Sequence, residues 1–119
     1  MATHEKLDIW KLSIGFVTNI YIVTKDFPED EKYGLVSQMR RSAVSIPSNI
    51  AEGAARKSDK EFIQFLYISL GSLTELDTQL IISKNLHYFN SSDLRTELKE
   101  LKLKLIGYIK YIKSMQKNT

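Results

Sequence analysis

Leu94-Arg95-Thr96-Glu97-Leu98-Lys99-Glu100-Leu101-Lys102-Leu103-Lys104-Leu105, continued by Tyr108, Ile112 and Met115, decides the fold. Its apolar residues return at Leu94, Leu98, Leu101, Leu105, Tyr108, Ile112 and Met115, at alternating intervals of four and three. That rhythm belongs to an α-helix burying one stripe of its surface. Upstream, Asn90-Ser91-Ser92-Asp93 offers side-chain oxygens to cap the free N–H groups of a first turn. The spacing predicts a helix over about 91–116.

The same rhythm recurs through the rest of the chain. Ser58-Asp59-Lys60-Glu61 reads as a capping box, and Phe62, Leu66, Ser69, Leu73, Leu76 and Leu80 follow in register. A helix is expected over about 59–86, with Gly71 inside it as a place for close packing. Val36, Met39, Ala43, Ile46 and Ile50 define another over about 32–54. Pro47 lies within it beyond the small Ala43, so a kink is expected rather than a break, and Gly53 serves as terminator. Leu7, Trp10, Ile14, Val17 and Tyr21 give a first helix over about 7–26, stopped at Asp26-Phe27-Pro28 because a residue before proline leaves helical geometry. Four amphipathic segments on short connections specify an all-α, antiparallel up-down-up-down four-helix bundle, one domain over 1–119.

Composition agrees. A chain of 119 residues with 43% hydrophobic and 26% charged side chains holds one modest core and is not disordered. Five glycines and two prolines suit long helices. Cysteine is absent, which removes disulfides, thiolate metal sites and thiol nucleophiles together. Met1-Ala2-Thr3-His4-Glu5-Lys6 lacks the features of a signal peptide, and apolar runs such as Ile20-Tyr21-Ile22-Val23 are too short to span a bilayer. A cytoplasmic protein with no membrane contact is expected.

Catalytic patterns are missing. His4 and His87 are the only histidines, and neither follows a glutamate by three, as a di-metal bundle requires. Neither a phosphate loop nor a dinucleotide fingerprint occurs. No enzyme activity, metal or cofactor is expected.

Charge is unevenly placed around a net +3. Residues 32–60 carry six bases against two acids, and residues 90–119 seven against three. At 100° per residue, Arg95, Lys99, Lys102, Lys110, Lys113 and Lys117 share one flank of the fourth helix while Glu97 and Glu100 project elsewhere. Such a row suits backbone phosphates, the alternative being an ordinary solvated face, which usually mixes signs. Arg40, Arg41, Arg56, Lys57 and Lys60 form a second basic group around helix two, with arginine forks suited to phosphate. Ser37, Arg41, Ser45, Ser48 and Glu52 lie opposite that helix's core stripe, where small residues equally allow a partner helix. Helix one carries a second apolar stripe, Ile9, Leu12, Phe16, Ile20 and Val23, on the side where a monomer shows charge; it is expected to be an oligomer interface, the alternative being that helix one is the most buried helix and its neighbours cover it. Trp10, Tyr21, Phe62, Phe65 and Tyr108 belong to apolar stripes, whereas Tyr33, Tyr67 and Tyr111 are free to stack on bases.

Phe27-Pro28-Glu29-Asp30-Glu31-Lys32-Tyr33-Gly34-Leu35, then Gln38-Met39-Arg40-Arg41-Ser42-Ala43-Val44-Ser45-Ile46-Pro47-Ser48-Asn49-Ile50-Ala51-Glu52-Gly53, and Phe62-Ile63-Gln64-Phe65-Leu66-Tyr67-Ile68-Ser69-Leu70-Gly71-Ser72-Leu73 carry a resemblance. Together with Asp8-Ile9-Trp10-Lys11 they resemble the bacterial 23S ribosomal RNA intervening-sequence proteins over nearly the whole chain. Ser13 and Ser69 stand where that family commonly has alanine, and Asp77 where it has glutamate. The resemblance implies a cytoplasmic, non-enzymatic four-helix bundle with relatives that form ring-like homopentamers. A similar bundle accompanies a reverse transcriptase and binds nucleic acid. Residues and resemblance together lead to an oligomer that binds RNA or other nucleic acid through Arg40, Arg41, Arg56, Lys57, Lys60 and the helix-four bases. The alternative is a scaffold for a protein partner.

Overall fold

A computed structural model describes residues 4–90 and 93–117. Four helices account for most of them: α1 (Asp8–Thr24), α2 (Leu35–Ala54), α3 (Asp59–Asn85) and α4 (Asp93–Lys117). Single 3-10 turns at His4–Lys6 and Glu29–Glu31 complete the order, and no strand occurs among the described residues. Each helix packs on its sequence neighbours and α4 closes back onto α1. Short connections force neighbours antiparallel, so the result is an up-down-up-down bundle, 52 × 21 × 19 Å.

Local chemistry sets the helix ends. Ser58 Oγ accepts the Glu61 N–H at 3.2 Å and donates to the Glu61 carboxylate at 3.1 Å, so the cap starts α3. At the other end, His87 takes φ 63°. The Tyr88 N–H then reaches the Ser83 carbonyl and the His87 N–H that of Lys84, the left-handed helix stop in which glycine is usual. Ser91 and Ser92, candidates for capping α4, lie outside the described residues. The turn at Glu29–Glu31 delays α2 to Leu35, and α2 then runs unbroken through Pro47 to Ala54. Continuity there is established; a bend is not.

The core stripes of α2 and α3 fall where spacing puts them: Val36, Met39, Ala43, Ile46 and Ile50 are buried, as are Leu66, Ser69, Leu73, Leu76 and Leu80. In α4, Leu94, Leu98, Leu101, Leu105 and Ile112 are buried and joined by Ile109, while Met115 is exposed. Phe27 caps one end of this core, packed on the rings of Tyr88 and Phe89.

Helix α1 requires a correction. Its inward face is Ile9, Ser13, Phe16, Ile20 and Thr24, so Ile9, Phe16 and Ile20, expected at an oligomer interface, are core. Val23 is half-buried and only Leu12 is exposed. The stripe expected inside, Leu7, Trp10, Ile14, Val17 and Tyr21, lies at the margin or outside it. The polar residues of the true core face are satisfied within the helix: Ser13 Oγ donates to the Trp10 carbonyl and Thr24 Oγ1 to that of Ile20, both at 2.7 Å.

The glycines also differ from expectation. Gly53 lies inside α2, where an added Cβ would come 2.6 Å from Phe65 Cβ and 2.9 Å from Phe62 Cδ1. It permits the close approach of α2 and α3 rather than ending a helix. Gly71 faces open space with no packing against it.

Candidate nucleic-acid interface

The basic residues named from the sequence divide into two classes, those tied into the bundle and those free on its surface. Arg95 donates to both carboxylate oxygens of Asp77, at 2.8 and 3.3 Å, joining α4 to α3. The carboxylate raises the pKa of the guanidinium above its ordinary value, first through the hydrogen bond and then through charge. Arg40 donates through Nε to Thr24 Oγ1 at 3.0 Å and through Nη2 to the Tyr21 carbonyl at 3.3 Å, with its guanidinium 4.4 Å over the Tyr21 ring. It thus closes the carbonyl end of α1, where positive charge is favoured. Arg56 pairs with Glu52 at 2.9 Å and rests 4.8 Å over Phe65.

Arg41, Lys57, Lys60, Lys99 and Lys110 are exposed, and Lys102 is half-buried. None of them forms an ion pair among the described residues. Lys113 donates to the Tyr67 hydroxyl at 2.5 Å. Its ammonium is 4.9 Å from the ring centroid, out beyond the hydroxyl, so this contact is a hydrogen bond rather than a cation on the ring face. The side chain of Lys117 lies outside the described residues.

Two crossings, Arg95 to Asp77 and Lys113 to Tyr67, bracket the α4 row and place it along the groove between α3 and α4. Lys60 stands two helical turns before Tyr67 on the same flank of α3, which adds it to this row. Ile106, half-buried between Lys102 and Lys110, and Leu103, exposed, interrupt the charge with apolar surface.

Five carboxylates of these helices have partners or surroundings away from the row, while Asp59, exposed at the start of α3, stays on the α3–α4 side. Asp77 holds Arg95, Glu61 receives the Ser58 hydroxyl, and Glu75 lies beside Gln79. Glu97 accepts both hydrogen bonds of Asn19 on α1, and Glu100 lines a recess with Leu12 and Lys104. Helix α4 therefore turns Glu97, Glu100 and Lys104 toward α1 and the row from Arg95 to Lys113 toward α3.

Arg40 and Arg41 are remote from Arg56, Lys57 and Lys60, since some fifteen residues of helix separate them by roughly 22 Å. One basic group around α2 thus becomes two. Near Arg41 lie Lys32 and Tyr33, the latter 89% exposed. Helical spacing does not signal their partnership, because Tyr33 precedes α2, which starts at Leu35; the turn before α2 and the end of α1 bring Tyr33, Arg40 and Tyr21 to one groove.

Among the described residues no helix is long and apolar enough to cross a membrane, and no three His, Asp or Glu residues are grouped to hold a metal ion.

No curated protein matches this sequence. A solved structure from Bacteroides thetaiotaomicron, described as a protein with unknown function from the S23 ribosomal protein family, superposes with a TM-score of 0.79 at 25% identity. The match covers 86% of this chain and 98% of that one. The sequence profile of the 23S rRNA-intervening sequence proteins matches residues 5–107. That span takes in most of all four helices, and the chain belongs to the 23S rRNA-intervening sequence protein family.

Proposed function

We propose that this protein is a non-enzymatic nucleic-acid-binding bundle that grips backbone phosphates along its α3–α4 face. The observation that carries the reading is a row of lysines, Lys60, Lys99, Lys102 and Lys110, that form no ion pair among the described residues, on a flank where Asp77 is occupied by Arg95 and Asp59 at the start of α3 is the other acid. Lysines without a base-reading constellation suit sequence-independent binding of a polyanion. The test is fluorescence anisotropy of a labelled RNA hairpin and a DNA duplex at low salt. Reversal of Lys60, Lys99 and Lys110 to glutamate lowers affinity more than roughly tenfold, since each phosphate contact is removed and repulsion added, while the melting temperature is unchanged. Equal affinity in the variant overturns the proposal.

A second reading, assembly with another protein or another copy, draws on a different surface. Ile14 is exposed on α1 beside half-buried Trp10 and Val17, and α2, which packs on α1, carries the small Ser48 and Ala51 outside its buried stripe. A helix laid there would cover apolar area. Light scattering at micromolar concentration tests self-association: a mass of one chain rejects it, and a larger mass reduced by Ile14→Asp supports it.

A further inference from the structure

Where the end of α1 meets the start of α2, on a face other than the lysine row, a groove of about 510 Å³ opens between Tyr21, Lys32, Tyr33, Arg40, Arg41 and Val44. Its volume falls among clefts that hold small ligands. Its lining contains no carboxylate. Of the carboxylates before it in the chain, Glu31 is turned away to accept the Tyr88 hydroxyl at 2.8 Å and the Leu35 N–H at 3.4 Å, and Glu29 lines the adjoining recess beyond Lys32 and Arg40.

Three features meet here. Tyr33 presents a ring that is 89% exposed, with the Lys32 ammonium 5.6 Å from its centroid. Arg40 is held rigid by Thr24 and the Tyr21 carbonyl. Arg41, the next residue, is exposed and makes no ion pair among the described residues. Val44 and Tyr21 supply the apolar wall, 41% and 37% exposed. An inorganic anion would use the cations and leave the rings idle, and an apolar ligand would do the reverse. A ligand with a flat aromatic part and a phosphate uses both.

We propose that this groove binds a nucleotide, its phosphate between Lys32 and Arg41 and its base against Tyr33. The site does not depend on the lysine row. The shared chemistry has two sources, a free nucleotide or an unpaired residue of a single strand.

The test is a titration of the isotope-labelled full chain, followed by amide chemical shifts. Separate arms use AMP, adenosine, inorganic phosphate, single-stranded oligoadenylate and a blunt DNA duplex. The expected result is saturable shifts confined to residues 32–44 and the end of α1, with AMP or oligoadenylate binding roughly tenfold or more tightly than phosphate or adenosine. Saturation by AMP assigns a free nucleotide, and saturation by oligoadenylate alone assigns an unpaired strand residue. Tyr33→Ala and Arg41→Gln each weaken that binding roughly tenfold, in the range for loss of one base stack. Both side chains are exposed, so melting temperatures stay unchanged. No saturable shift with either ligand overturns the proposal, as do equal binding by phosphate alone, preference for the duplex, or binding unaffected by Tyr33→Ala. Loss of the site in the Lys60, Lys99 and Lys110 reversal would assign the binding to the lysine row and overturn it too.

Discussion

Two glycines inside helices have opposite worth. Gly71 faces open space, so Gly71→Ala gains the helix propensity of alanine, about 1 kcal/mol, with nothing to strike. Gly53 gains the same propensity but meets the Cβ of Phe65 and the ring of Phe62 under 3.0 Å. The first of these is anchored to backbone and cannot swing aside, and such overpacking costs about 1–3 kcal/mol. Thermal denaturation is expected to show Gly71→Ala melting higher than the parent and Gly53→Ala lower; a shared sign would mean that the close approach of α2 and α3 has been misjudged. Tyr88 makes a different prediction. Its hydrogen bond to Glu31, then burial and the charges of Glu31 and Asp30, raise its pKa above 10.0. A hydroxyl that holds its proton more firmly in the folded chain stabilises the fold fully below its unfolded pKa. That contribution is lost as pH rises through the raised value. Above pH 10.0 the parent should therefore lose stability more steeply than Tyr88→Phe; parallel curves in denaturant titrations would show that the bond contributes nothing. Ser69 acts more quietly. Its hydroxyl donates to the Ile46 carbonyl at 2.9 Å across the α2–α3 seam, which explains how serine occupies a fully buried position.

At the scale of elements, the orientation of α1 is the sharpest point to test. The structure buries Ile20 completely and leaves Ile14 40% exposed. Ile20→Ala should therefore cost about 2–4 kcal/mol by opening a cavity, and Ile14→Ala less than about 1 kcal/mol. Chemical denaturation of both variants checks this, and the reverse order would restore the orientation read from spacing. Helices α2 and α4 were legible because each has one dominant apolar stripe; α3 also exposes Ile68, Ile81 and Ile82, and its capping box and leucine register marked it instead. Met39, Ala43, Ile46 and Ile50 leave no second solution for α2, and Leu98, Leu101 and Leu105 none for α4. Helix α1 has two stripes of similar strength, so spacing alone could not orient it. The choice of the Trp10 and Tyr21 stripe failed because amphipathic aromatics settle at a core's edge with their polar atoms outward. The true face contains Ser13 and Thr24, which look polar in a sequence but spend their hydroxyls on carbonyls of their own helix.

Across the whole molecule, charge depends on which helices are neighbours, and that is where the sequence was least legible. The single-sign flank of α4 could be read from its own periodicity. That Arg95 is spent on Asp77, that Arg40 closes α1, and that Lys113 meets Tyr67, so that Lys60 extends the α4 row past its end, follow from packing between helices. The consequence is countable. Lys60, Lys99, Lys102, Lys110 and Lys113 lie along one groove, and the last four span roughly 21 Å of helix. If all five neutralise phosphates, the logarithm of affinity for duplex DNA should fall with the logarithm of salt at a slope of roughly −4.5. Replacing Lys60, Lys99 and Lys110 by glutamine, which removes charge without adding repulsion, should bring the slope to roughly −2. Arg95→Gln should behave otherwise: its charge already faces Asp77, so the slope should hardly change while the helix pairing weakens by about 1 kcal/mol or less. Anisotropy titrations at several salt concentrations measure all three slopes. A parent slope near zero would mean that the row neutralises no phosphate, and a change in slope for Arg95→Gln as large as that of one freed lysine would mean that Arg95 binds phosphate in place of Asp77.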